Sequence, residues 1–140
     1  PIAFREKVLF LIKRHDAPFP ESDFKLKKLL GEIGEETFFD LVKVKYADNA
    51  AQGTAIALAE SEKIAKISEK VQKIIESGEC YSLKMLNVSG DELASIGFKG
   101  KEIGDELNVL LNACMETPSL NDKKHLKELA EKHFDRLQGR

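Results

Sequence analysis

Apolar residues recur along this chain at three- and four-residue spacing nearly from end to end, a pattern that predicts helices and no sheet. Phe4, Val8, Leu11, Ile12 and His15 share that spacing, so residues 4–15 read as an amphipathic helix, which Ala17-Pro18-Phe19-Pro20 stops. Ser22 or Asp23 can cap a short second helix through Leu30, with Leu26, Leu29 and Leu30 inward and Lys25, Lys27 and Lys28 largely outward. Gly31 and Gly34 bracket its exit. A third helix over residues 35–49 carries Phe38, Phe39, Leu41, Val42 and Val44. Its Val-rich middle is the one stretch with a strand alternative, but Tyr46 to Ala51 continue the helix without turn chemistry. After a break at Gln52-Gly53-Thr54, residues 55–77 make the longest helix, striped by Ile64, Ile67, Val71, Ile74 and Ile75, and Gly78 ends it.

The second half repeats the same grammar in shorter pieces. Ser89 can cap a helix with Glu92 as its reciprocal partner, Gly97 can end it in the left-handed conformation, and Phe98 fills the corner. Lys99-Gly100-Lys101 opens the next helix, over residues 101–116, faced by Ile103, Leu107, Leu110, Leu111 and Met115 and closed by Thr117-Pro118. Asn121 or Asp122 caps a last helix with Leu126, Leu129, Ala130, Phe134 and Leu137 inward. The expected fold is all-α: a helical lobe at residues 1–53, a connecting helix at 54–78, and a second lobe at 79–140 that carries a glycine-lysine helical hairpin.

Composition narrows the class. At 140 residues the chain suits one domain or two small lobes. Its hydrophobic content of 42% with 33% charged residues is that of a globular protein and excludes bulk disorder. No apolar run reaches membrane length and no signal-peptide pattern opens the chain, so a cytoplasmic setting with no membrane partner is the default expectation. Two cysteines are too few for a zinc ribbon, and Cys114, in register with Leu107, Leu110 and Leu111, reads as a small buried hydrophobe. The net charge of −2 supplies no overall attraction to nucleic acid. Any RNA contact must then come from local patches, with strong salt sensitivity.

Three such patches stand out. At Lys99-Gly100-Lys101 the uncovered N–H groups and positive dipole end of a helix favour an anion, and Gly100 lets it approach the backbone. The same residues also fit an ordinary helix–helix turn whose glycines act only as caps. Lys63, Lys66, Lys70 and Lys73 line up on one face of the long helix and could follow a phosphate backbone. Against that, Glu62 with Lys66 and Glu69 with Lys73 are spaced for i, i+4 pairs on a solvated helix. Lys84 is a third candidate.

The run Cys80-Tyr81-Ser82-Leu83-Lys84, then Ser89-Gly90-Asp91-Glu92-Leu93, Gly97-Phe98-Lys99-Gly100-Lys101, Gly104, Leu107, Leu110-Leu111, and finally Asn121 and Leu126, resembles the C-terminal domain of bacterial CCA-adding tRNA nucleotidyltransferases. The similarity is closest over residues 79–133. The family commonly has a proline between the lysine and the glycine, whereas Gly100 follows Lys99 directly. Residues 4–53 resemble the end of an HD-type helical region: Leu11 to Asp16 are similar to a helix closing on His-Asp, and Lys45 to Gln52 to the helix bearing the final aspartate. The upstream metal-holding His and His-Asp pair of that class are not in this chain.

Catalytic signatures of such an enzyme are missing as well. A nucleotidyltransferase needs a glycine-serine loop and an Asp-x-Asp pair for two metal ions, and neither occurs. The resemblance therefore implies a non-catalytic portion of a CCA-adding enzyme, excised from a longer protein whose catalytic head would use Mg2+, CTP and ATP. The fragment itself would hold no cofactor or metal and would grip the acceptor and T-arm side of tRNA through Lys99, Gly100, Lys101, then Lys63, Lys66, Lys70, Lys73 and Lys84, reading shape and phosphate. Two alternatives belong to other classes. One is a remnant HD-type phosphohydrolase drawing on His15, Asp16 and Asp48. The other is a helical protein-interaction module, a possible homodimer through the last helix; His125 and His133, eight residues apart, are too far for an i, i+4 metal pair.

Overall fold

Side-chain caps set where the helices begin. Ser22 Oγ accepts from Lys25 N at 3.2 Å, Thr54 Oγ1 from Ala57 N at 3.1 Å, and Asp122 Oδ1 from His125 N at 3.0 Å. Each satisfies a first-turn donor that the helix cannot satisfy itself. The computed structural model describes residues 3–14 and 17–139, without the side chains of Phe4, Val8 and Ile12. His15, expected to finish the first apolar stripe, and Asp16 lie outside the described residues. Within them the backbone is all-α: α1 (Phe4–Arg14), α2 (Asp23–Gln52), α3 (Ala55–Glu76), α4 (Gly90–Ile96), α5 (Lys101–Glu116) and α6 (Lys123–Leu137), with 3-10 turns at Leu83–Met85 and Pro118–Leu120. The chain divides into two compact units at the Gly78–Glu79 boundary.

In the first unit the two helices expected around Gly31 and Gly34 are joined end to end as α2. Gly31 stays helical, and the break falls on Gly34 alone, at φ 83° and ψ 164°, a conformation that glycine tolerates and a residue with a Cβ does not. α3, expected as a connector between lobes, packs along α2 and belongs to this unit. The α2 side buries Leu26, Leu30, Phe38 and Leu41, and the α3 side Ala57, Ile64, Val71 and Ile74. Lys27, expected outward, is 2% exposed. α2 is packed by both α1 and α3, so its buried face is wider than one stripe and takes in Lys27. Lys45 is also buried, donating from Nζ to the Ala17 carbonyl and lying 5.1 Å from the Phe19 ring centre. It pins the segment before α2 so that Phe19 meets Phe38 at 5.3 Å. Lys7 on α1 reaches Glu36 at 3.0 Å and Asp40 at 2.5 Å on α2.

The second unit closes around Cys80, Leu86, Val88, Leu93, Phe98, Leu110, Cys114, Leu126 and Ala130. Cys114 is the small buried hydrophobe that its register implied, and burial, with Cys80 nearby, raises its thiol to about 11. Of the two candidate caps for α6, Asp122 takes the role. Asn121 instead clamps the entry to the unit: its Oδ1 accepts from Asn87 N at 2.9 Å, its Nδ2 donates to Met85 O at 2.9 Å, and its carbonyl accepts from Asn87 Nδ2 at 2.8 Å. On α5 the buried Glu106 is met by His133 Nδ1 of α6, 2.9 Å from both carboxylate oxygens. That contact gives a buried carboxylate the polar partner it needs.

Candidate nucleic-acid interface

The α4–α5 hairpin is built from its caps inward. Ser89 Oγ accepts from Glu92 N at 3.2 Å while Glu92 Oε1 accepts from Ser89 N at 3.3 Å, the reciprocal box that the spacing implied. Glu92 is also met by Lys127 at 3.3 Å and Lys123 at 3.7 Å, both on α6. Partial burial opposes the charge of Glu92. The ion pair with Lys127, the hydrogen bond from Ser89 N and the nearby Lys123 charge outweigh it, holding the carboxyl below its ordinary value of 4.5. At the other end of α4, Gly97 N donates to Ala94 O at 3.1 Å and Phe98 N to Leu93 O at 3.2 Å, the paired bonds that close a helix on a left-handed residue. Gly97 has φ 135°, and a Cβ there would stand 2.4 Å from Phe134 Cζ. Phe98 is buried, its ring 5.2 Å from that of Phe134 in an edge contact. Burying Phe98 turns the next residues outward.

Lys99, Gly100 and Lys101 are all exposed. Gly100 has φ 57° and ψ −126°, and apart from its chain neighbours no residue comes within 4 Å of where a Cβ would project, so the backbone is approachable there. The donors at this turn are partly committed already. Glu102 N turns back to Lys99 O at 3.1 Å, Ile103 N to Gly100 O at 3.2 Å, and Glu102 Oε1 accepts from Lys99 N at 3.0 Å. Glu102 thus places a carboxylate at the start of α5, against the Lys99 backbone, and an incoming phosphate would have to contend with it. The sequence alone does not announce Glu102 in this role. Its signal was the same three-residue reach as Ser89 to Glu92, hidden because Lys99 is not a capping residue type.

Other candidate lysines are less available than their spacing suggested. Lys70 is 2.6 Å from Asp23 and donates to Glu21 O at 3.1 Å, which ties α3 to the start of α2. Lys63 pairs with Glu60 at 3.4 Å. The i, i+4 pairs Glu62–Lys66 and Glu69–Lys73 do not form among the described residues, which leaves Lys66 and Lys73 exposed on α3. Lys84 is exposed on the 3-10 turn beside the Asn121 clamp. The hairpin and Lys84 lie in the second unit, and the α3 lysines in the first.

Asp48 is exposed and lines a pocket of about 570 Å³ in the first unit, together with Lys45, Lys63, Lys66, Asn49 and Phe19. Among the described residues no three His, Cys, Asp or Glu side chains converge, and His15 and Asp16 lie outside them. His125 is exposed and its Nδ1 meets Asp122 Oδ2 beside the α6 cap. No helix among the described residues is long and apolar enough to cross a membrane. No family model, no curated protein and no solved structure matches this chain.

Proposed function

We propose that residues 79–140 form an RNA-binding module, the non-catalytic tRNA-gripping portion of a CCA-adding tRNA nucleotidyltransferase. The observation that carries the proposal is the α4–α5 turn. Two exposed lysines flank a glycine whose backbone faces open space at a helix start, which is the arrangement that an RNA phosphate would occupy. Lys99 and Lys101 supply charge, and the Gly100 backbone lets a phosphate come close. Lys84 adds a further exposed lysine in the same unit. Recognition of this kind reads the shape and phosphates of an RNA helix, because A-form geometry hides base edges in a deep, narrow groove.

The test is tRNA binding measured across a salt series with Lys99→Glu/Lys101→Glu. Each lost phosphate contact removes roughly 0.7 to 0.9 from the log-log salt slope, so the double variant should be shallower by about 1.5 and weaker at every salt concentration. Helicity should stay unchanged, because acidic residues at an exposed helix start suit the dipole. A double variant that binds with the parent's affinity and slope would make the turn a cap only.

A further inference from the structure

The tip of the α2–α3 hairpin has a composition unlike the rest of the surface. In a chain where one residue in three is charged, residues 49–59 contain no Asp, Glu, Lys or Arg, the longest such run in the sequence. The next longest, residues 107–115, lies on α5 and contributes Leu110, Cys114 and Met115 to the buried side. The run at the tip does the opposite. All of it except Asn49 and Ala57 is exposed, including Ile56 at 80% and Leu58 at 64%, and Tyr46 nearby is 50% exposed. Charge depletion combined with aromatic and aliphatic exposure is the compositional mark of a surface meant to be covered.

We propose that this tip is a self-association face that takes a second copy of the chain. Charge selects among occupants. A face without lysine or arginine offers nothing to nucleic-acid phosphates, and a charged peptide would lose its hydration here with no opposite charge in return. The surface that matches an uncharged face is another uncharged face, and the tip itself provides one. Shape points the same way. A groove of about 300 Å³ has Ala50, Gly53 and Ala55 among its lining residues, with the larger Tyr46 and Leu58 in the same lining. A hollow beside exposed aliphatic side chains on one face suits a two-fold contact, in which the same patch supplies both sides. Small residues in the hollow let the two hairpins approach closely.

Sedimentation across a concentration series tests this with the full chain. The expected result is a concentration-dependent species of twice 15.7 kDa, returned to the single mass by Leu58→Lys and, independently, by Ala50→Arg, with unchanged helicity. Both positions are exposed, so either variant can carry the test if the other folds poorly. Ala55→Cys should in addition be cross-linked between copies by a short bismaleimide, with the native Cys80 and Cys114 buried and slow to react. A single mass at every concentration overturns the proposal. So does a dimer that survives both substitutions without an Ala55→Cys cross-link, or one lost instead on Leu137→Lys at the end of α6.

Discussion

Gly97 concentrates two demands that no other residue type meets together. Its φ of 135° lies in the region where a Cβ is strained, and the space a Cβ would fill is held by the Phe134 ring at 2.4 Å. Gly97→Ala should therefore cost roughly 2 to 4 kcal/mol, combining backbone strain with overpacking. A urea titration of the variant would read this as a fall in midpoint at unchanged slope. Gly100 offers the contrast, with open space around it, so its glycine is a matter of backbone conformation and access alone. The sequence pattern marked both glycines equally, and only the ring of a residue 37 positions further on separates them.

At the scale of elements, α4 and α6 share an acid-sensitive junction. Asp122 is held below its ordinary 3.8 first by the backbone N–H of His125, then by the His125 ring, and Glu92 is held below 4.5 against partial burial by Lys127, Ser89 and Lys123. A carboxyl whose folded value is depressed contributes stability that is present above its unfolded value and lost as pH falls through the folded one. Stability of the second unit should thus be level above about pH 5 and decline as the pH drops below 4. Asp122→Asn, which keeps a good cap, should lower the denaturation midpoint at neutral pH and flatten the decline, so that variant and parent converge in acid. A midpoint-against-pH series checks the sign directly: an equal offset at every pH would mean that Asp122 acts only as a cap and its charge contributes nothing.

On the scale of the whole molecule, charge is distributed against any general attraction to RNA. Residues 79–140 hold nine Lys and Arg against eleven Asp and Glu, so the unit with the candidate interface carries the acidic excess. Binding there must rest on a few local contacts, and because the salt slope scales with the number of phosphates neutralised, that slope should be modest. The division at Gly78–Glu79 gives a further expectation. Residues 79–140 alone, with their own core around Leu93, Phe98, Leu110 and Leu126, should be helical by circular dichroism, unfold cooperatively and keep the dependence of tRNA binding on Lys99 and Lys101. A fragment that is helical and cooperative but binds no tRNA, where the full chain does, would move the interface to the first unit.

Helix class, most boundaries and the caps at Ser89 and Gly97 were legible in the order of residues, and those at Ser22 and Asp122 to within one position, because capping and helical periodicity act across three or four positions. The turn at Lys99 to Lys101 was legible for the same reason. What the order of residues left open is which lysines stay free. Lys27 and Lys45 are drawn into the interior and Lys70 is tied to Asp23, 47 positions away, while Lys99 and Lys101 remain exposed. Whether a lysine is surface charge, a buried group or a tie between helices depends on what lies across from it after folding. That neighbour is chosen by packing over tens of residues, a range that no local pattern spans.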